Sequence, residues 1–424
     1  MKSFLLIILA AIYLTAGANS LAVSSSNTVR SNLIAKDANQ ADMKAVAAGN
    51  TDFAFALYAK LKDNPKAVDE AGNLFFSPYS ISTVLAMTCA GAGGETQKQM
   101  TETLHFMLEP KRLNPAFGAL QKQLVQPDKS AGYQLLAANA LWAQQGQPLV
   151  PKFAGMVRTD YDARISQLDF IEATEKSRQT INRWVEEKTK EKIRNLIPAG
   201  GVNTDTRLVL TNAIYFKGEW TMQFEKKNTK ETDFFVSAVS KVKVPMMYLE
   251  DHFKYWADDE LQVLELSYKG RQLSMLIILP RAIEGLKAIE DALTPASIEN
   301  LLSKMHYSKV EVFLPKFKLT WGTFSLKATL ASMGMHDAFD AGKADFSGMD
   351  GKRDLFLSDV FHKAVIVVNE EGTEAAAATG GTMALTSVER TNLFRADHPF
   401  IFIIRDSRSG SILFIGHLAD PAVR

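Results

Sequence analysis

The sequence has almost no cysteine: Cys89 stands alone among 424 residues. No intrachain disulfide is possible, so stability must come from a hydrophobic core. Cys89 lies in the apolar, helix-like stretch Ser82–Ala90 and reads as a packed side chain rather than a reactive thiol. Net charge is equally scarce. There are 48 basic and 47 acidic residues, a formal charge of +1, which leaves no electrostatic footprint for nucleic acid or an anionic membrane. Lys188-Thr-Lys-Glu-Lys192 is offset by Glu186, Glu187 and Glu191, the pattern of a solvated helix face. Catalytic signatures are missing as well. There is no Gly-x-Ser-x-Gly elbow, His-Glu-x-x-His zinc motif, phosphate-binding loop or dinucleotide glycine fingerprint. His105, His252, His306, His336, His362, His398 and His417 show no metal-ligand spacing. These absences argue against an enzyme, a metal site and a cofactor. No Asn-x-Ser/Thr acceptor occurs either, which leans toward a bacterial secretory route.

Phe4–Leu14 is apolar but too short to span a bilayer. It follows Lys2 and precedes the small-x-small sites Ala16-Gly-Ala18 and Ser20-Leu-Ala22. This is the pattern of a signal peptide over residues 1–22, cleaved near 18 or 22. The expectation is a secreted protein, extracellular or periplasmic, without a membrane anchor. Residues 23–45 are polar and read as a disordered lead-in. Residues 46–424 hold no Pro/Gly/Ser-rich linker, charge block or repeat, and 46% hydrophobic residues suffice for one large domain.

Helices are expected over Thr51–Leu61, Ser80–Ala90 and Ser177–Ile197, the last amphipathic through Ile181, Trp184, Val185, Ile193, Leu196 and Ile197 and ended by Pro198. Strands are expected at Leu135–Trp142, Leu208–Phe216, Leu273–Leu279, Val310–Leu319 and Phe361–Asn369. Helices and strands interleave without regular alternation, which favours the α+β class. Phe394–Arg405 and Ser411–Pro421 are apolar strands around the polar turn Asp406-Ser-Arg-Ser-Gly410, a hairpin buried on both faces. Between the strand ending at Asn369 and this hairpin lies a different kind of segment. It opens Glu370-Glu371-Gly372-Thr373-Glu374-Ala375-Ala376-Ala377-Ala378-Thr379. Only Met383, Leu385 and Val388 are sizeable apolar side chains before Asn392. Such a segment cannot hold itself down and should be an exposed loop. Yet Thr373, Ala375, Ala377 and Thr379 are small and two apart, so in extended form they would share one face.

These residues, in this order, resemble the serpins, the serine protease inhibitor family. The resemblance runs from about Asn50 to the C-terminus. It rests on Asn73–Ser82, Leu208–Trp220, Phe313-Leu-Pro-Lys-Phe317, Ala344–Gly348, Leu357–Ala364, the hinge at Glu370–Ala378 and His398-Pro-Phe400. It implies the serpin fold, with three β-sheets, about eight or nine helices and a reactive-centre loop at about 370–395. It implies a monomer. It also implies suicide inhibition: a protease attacks the loop, forms an acyl-enzyme, and is carried along as the segment from Gly372 inserts into the main sheet. Ser77, Ser80, Asn212 and His362 match the family's polar shutter beneath that sheet. Trp220, Lys316 and Glu370 match its breach at the top. No basic stripe resembles the heparin-binding helix of some serpins.

Seventeen residues counted inclusively from Glu370, the usual family spacing, end at Thr386 and make Thr386–Ser387 the bait bond. Counting back from Pro399 gives Val388 instead. Met383-Ala-Leu-Thr386 offers small and medium apolar groups, which suit elastase- or subtilisin-like serine proteases. Leu385 would also suit papain-like cysteine proteases, and Arg390 would suit trypsin. Gly380-Gly381 departs from the β-branched residues of inhibitory serpins and weakens insertion by roughly 0.5–1 kcal/mol per glycine. A non-inhibitory serpin acting as binding module or protease decoy is the alternative reading, and an unrecognised hydrolase the remote one.

Overall fold

A computed structural model describes residues 40–125, 132–372 and 391–422. The expected signal peptide and most of the expected lead-in lie outside these residues, as does the loop Thr373–Arg390. A helix over residues 40–61 begins inside the stretch assigned to the lead-in. Arg112 binds Asp42 at 2.5 Å and Val46 is buried, so residues 40–45 are helical rather than part of an unstructured lead-in.

The strands in chain order are β1 (Leu74–Phe76), β2 (Tyr133–Gln144), β3 (Arg164–Leu168), β4 (Leu208–Gly218), β5 (Lys230–Phe235), β6 (Lys241–Ala257), β7 (Leu261–Ser267), β8 (Leu273–Pro280), β9 (His306–Pro315), β10 (Phe317–Ser325), β11 (Leu357–Val368), β12 (Asn392–Arg395), β13 (Phe400–Asp406) and β14 (Ile412–Leu418). Ten helices accompany them among the described residues, three of them only four to six residues long.

Pairing divides the strands into two sets. Five form the sheet β10-β11-β4-β2-β3, and nine follow the path β1-β14-β13-β8-β7-β6-β9-β12, with β5 on β6. Three sheets were expected. The nine-stranded path joins two of them because β6 is 17 residues long. Its first part pairs with β5 and β9, and its last four residues, Lys254–Ala257, pair with β7. The hairpin β13–β14 sits inside this path, between β8 and β1, as its continuous apolar composition requires.

Three sequence expectations need correction. Phe394–Arg405 is not one strand: β12 ends at Arg395 against β9, and β13 starts at Phe400 between β8 and β14, with Pro399, which has no N–H to give a ladder, at the break. Val310–Leu319 is not one strand. β9 ends at Pro315 in the larger sheet and β10 starts at Phe317 in the smaller one, with Lys316 N–H bonded to Pro245 O at 2.9 Å at the crossing. The helix expected to reach Ile197 spans Thr174–Lys188. Thr189 ends it: its hydroxyl donates to Val185 O and accepts from Ile193 N–H. Lys190, Glu191 and Asn195 then take left-handed φ values. Ile193, Leu196 and Ile197 are buried all the same, so their helical spacing reported burial but not helix.

The five-stranded sheet lies between two apolar layers. On one side Leu208, Leu210, Ile214 and Phe216 join the main core with the helix Pro78–Cys89. On the other, Val209, Ala213, Tyr215, Phe361 and Val365 pack under the helix Thr174–Lys188 and the segment that follows it. Alternate residues of β4 therefore serve opposite faces, as strand geometry dictates. Trp142 and Trp184 meet edge to face at 5.4 Å, and Trp142 Nε1 donates to Thr211 Oγ1 at 2.8 Å.

Candidate functional site: a hinge above a parallel seam

β11 and β4 are parallel neighbours, whereas β10–β11 and β2–β4 are antiparallel. The β4–β11 register runs from Leu208–Leu357 to Tyr215–Val365 and stops there. Beyond it, Ile366–Val368 pair only with β10, and Phe216–Gly218 only with β2. The seam is therefore closed along most of its length and open over its last three rungs.

The hinge sits at the mouth of that opening. Asn369 and Gly372 exchange backbone bonds of 2.8 and 3.2 Å, closing a tight turn. Gly372 forms an antiparallel bridge to Glu219, the residue just past β4. Its φ is +128°. A Cβ there would lie 2.2 Å from Gly218 O and 2.6 Å from Trp220 N, so only glycine fits. Trp220 N–H donates to Glu371 O at 3.1 Å, and its indole Nε1 donates to Asn369 O at 3.1 Å. Trp220 is itself held by stacking on Tyr268 at 4.5 Å.

Glu370 is buried. Lys316 approaches its carboxylate at 2.9 Å, Thr229 Oγ1 donates to it at 2.8 Å, and Phe224 N–H donates to its backbone carbonyl at 2.9 Å. Burial pushes the Glu370 carboxyl up, but the hydrogen bonds from Lys316 and Thr229 outweigh it and hold the group below its ordinary value. Glu371 pairs with Lys226 at 2.6 Å. Trp220, Lys316 and Glu370 thus come together, joined by Asn369, Thr229 and Lys226, which sequence reasoning missed.

Lower in the seam is the second cluster. Asn139, Asn212 and His362 stand opposite one another on β2, β4 and β11. Ser77 caps the helix Pro78–Cys89: its hydroxyl accepts from Ser80 N–H at 3.2 Å and donates to Leu413 O at 2.6 Å. The backbone N–H of Ser77 donates to His362 Nε2 at 3.1 Å. Nε2 must therefore be the acceptor, and the ring proton sits on Nδ1, which donates to Asn212 Oδ1 at 2.5 Å. Asn212 Nδ2 in turn reaches Asn139 Oδ1 at 2.5 Å, and Ser80 Oγ and O at 2.5 and 3.0 Å. Complete burial pushes the imidazole down from 6.5 to about 3, only partly opposed by its bond to Asn212. The ring is neutral, and its hydrogen bond crosses the seam.

Ser77, Ser80, Asn212 and His362 are therefore one network. Asn139 completes it. Its signal was a lone amide inside the apolar run Leu135–Trp142. The other sequence-derived residues, Thr373, Glu374, Ala375, Ala376, Ala377, Ala378, Leu385, Thr386, Ser387, Val388 and Arg390, lie outside the described residues. Among the described residues no cluster of metal-ligating side chains occurs, and no helix is long and apolar enough to cross a membrane.

A family model described as serpin (serine protease inhibitor) matches residues 48–421. Leukocyte elastase inhibitor of Xenopus laevis is 42% identical over 385 residues, covering 89% of this chain and 100% of that protein. The human protein of the same name is 40% identical over 387 residues, with the same coverage. The crystal structure of human thyroxine-binding globulin complexed with thyroxine is similar in fold, with a TM-score of 0.81 at 30% identity, covering 90% of this chain and 100% of that one.

Proposed function

The chain belongs to the serpin family, and from that premise we propose that it is a protease inhibitor, not an enzyme, which traps an elastase-like serine protease by inserting its own cleaved loop. The observation that carries this reading is the Gly372–Glu219 bridge at the open end of the seam. A chain continuing from Gly372 down the seam would run antiparallel to both β4 and β11. It would replace one parallel pairing by two antiparallel ones, which are slightly more stable per residue. Insertion also gains a whole ladder of backbone hydrogen bonds, so the uninserted form is the less stable one, held by a barrier. The parts of that barrier are the clamp on Glu370–Gly372 and the His362–Asn212 bond, which must break when the strands separate.

In this reading the bait bond is Thr386–Ser387. The protease forms an acyl bond to Thr386 and is displaced with it. A distortion of about 1 Å in the attached active site suffices to slow deacylation by ~100-fold. Thr373, Ala375, Ala377 and Thr379 would face the main core, where small groups enter without displacing it. The N-terminal apolar segment would direct export, so the inhibitor would meet its protease outside the cell that makes it.

The test is to mix the full chain with pancreatic elastase at near-equal amounts. An SDS-resistant complex, with a released peptide beginning at Ser387 by mass, is expected. Complete cleavage without any complex would assign the chain to the non-inhibitory serpins. Faster stoichiometric inhibition of trypsin than of elastase would move the bait bond to Arg390.

A further inference from the structure

We propose that Trp321 is a positioning residue for the seam: its indole holds the His362 ring in the plane from which Nδ1–H reaches Asn212, and so sets how readily β4 and β11 part. The consequence for trapping rests on the inhibitor reading above; the geometry does not.

Register brings the two rings together. Trp321 on β10 pairs with Ala364 on β11. Directly paired residues share a face, and Ala364 and His362 are two apart, so all three project to the same side. That side is the main core, to which Trp321, Ala364 and Phe76 belong. Trp321 and His362 are diagonal neighbours, with ring centroids 5.6 Å apart and planes inclined at 50°. The backbones crowd at the next step. The β10–β11 register shifts between Gly322 and Ser325, a β-bulge, and Gly322 has a φ of +126°. A Cβ on Gly322 would lie 2.2 Å from His362 O. β10 therefore bears on this histidine twice, through the main chain of Gly322 and the ring of Trp321.

Three observations make the indole a support rather than filling. It is anchored: Nε1 donates to Ala67 O at 2.5 Å, and Ala67 sits in a turn closed by its own N–H to Asn64 O at 2.8 Å. It is braced by Phe76, with centroids 5.8 Å apart. Phe76 precedes Ser77, whose N–H donates to His362 Nε2, so the indole packs beside both ends of that hydrogen bond. The imidazole, lastly, needs holding. The χ2 torsion of a histidine is broad and roughly two-fold. A half-turn would set ring carbons where Nδ1 and Nε2 now stand, opposite Asn212 Oδ1 and Ser77 N–H. Leaving such buried groups unpaired costs more than making the bonds returns. The two hydrogen bonds fix which edge of the ring meets each partner, and the indole fixes the plane in which they are made. When the seam parts, β11 leaves β4 and keeps its pairing with β10. Trp321 then stays with His362, and the break falls on the bond to Asn212.

Amide hydrogen exchange on the intact chain, read by mass spectrometry, tests this without a protease. Peptides covering residues 209–215 and 360–366 report opening of the seam, and peptides covering 400–418 report the fold as a whole. Trp321→Met fills the space without a ring. Its seam peptides should exchange about 3- to 10-fold faster, the effect of losing one buried hydrogen bond, with the 400–418 peptides within twofold of wild type. Trp321→Phe, which keeps a ring against His362, should stay within twofold throughout. His362→Gln should exchange faster by itself, and adding Trp321→Met to it should change nothing further, because the indole acts through the imidazole. Additive effects would reduce Trp321 to core packing and overturn the proposal. So would equal acceleration in every peptide of Trp321→Met, or none in the seam. Histidine nitrogen NMR on wild type and Trp321→Phe gives a check that needs no methionine variant: both should carry the His362 proton on Nδ1, and a proton on Nε2 in wild type would refute the assignment. With pancreatic elastase as probe, Trp321→Met should also lose trapping competence on storage about 3- to 10-fold faster than wild type. If wild type forms no complex, the inhibitor reading fails while the exchange result stands.

Discussion

Acid should loosen the seam through His362. The imidazole is held down from 6.5 to about 3 by complete burial, and its Nε2 accepts from Ser77 N–H. Protonation would set two N–H groups against each other in a fully buried site. The native state therefore binds the neutral ring and refuses the proton, while the unfolded chain takes it up below pH 6.5. The stability this group contributes is complete above pH 6.5 and is lost as pH falls toward 3. The limiting slope is about 1.4 kcal/mol per pH unit, so by pH 4.5 on the order of 2 kcal/mol has disappeared. Against a typical total of about 5–15 kcal/mol, that is a large share. Six other histidines and many carboxylates also titrate, so wild type must be compared with His362→Gln, which keeps an amide in the network but cannot ionise. Urea midpoints of the first unfolding transition at pH 7.5, 5.5 and 4.5 measure the gap between them. Wild type should lead at pH 7.5, and its lead should shrink by roughly 2–3 kcal/mol at pH 4.5. A gap that stays constant over that range would mean that His362 is not the group whose protonation the fold resists.

Three further outcomes follow from the hinge and the seam. Cleavage of the loop near Thr386 should raise the unfolding temperature in calorimetry, since the five-stranded sheet gains a strand; equal temperatures for intact and nicked protein would exclude insertion. Thr373→Arg forces a charge into an apolar setting at a cost of several kcal/mol, so the protease should cut it at the normal rate and escape, whereas Thr373→Ser should still trap; an SDS-resistant complex from the arginine variant at an unchanged ratio would overturn the hinge assignment. Gly372→Ala pushes a Cβ to 2.2 Å from Gly218 O, so it should lower the urea midpoint by the equivalent of roughly 1–3 kcal/mol, and an unchanged midpoint would mean that this turn is not rigid.

The parts of the fold legible in the sequence were those fixed by local pattern. The buried hairpin β13–β14 and the strands β4 and β11 announced themselves by unbroken β-branched and aromatic runs. Asn212 alternates with Leu210 and Ile214, so its burial is legible in the strand pattern. What the sequence hid depends on long-range placement. The end of the helix at Lys188 is set by one hydroxyl, that of Thr189, and the apolar spacing continues beyond it, since Ile193, Leu196 and Ile197 keep contact with the same sheet face. The break at Lys316 reflects a passage between two sheets that no local preference demands. β6 escaped notice because its outward positions alternate charge with Tyr248, and it serves two sheet regions in turn. Asn139 is a single polar side chain whose partners lie on other strands, so only the register that sets it beside Asn212 shows what it does.

The position of β14 carries a consequence for how the chain comes to be. β1 begins at Leu74 and finds its partner at His417, 343 residues later. During synthesis at about 5–20 residues per second, that first strand waits on the order of 20–70 s for its neighbour to be made. Every strand of the smaller sheet, β2 through β11, exists before the partner of β1 does. The strands that flank the seam can therefore meet one another while the larger sheet still lacks β14.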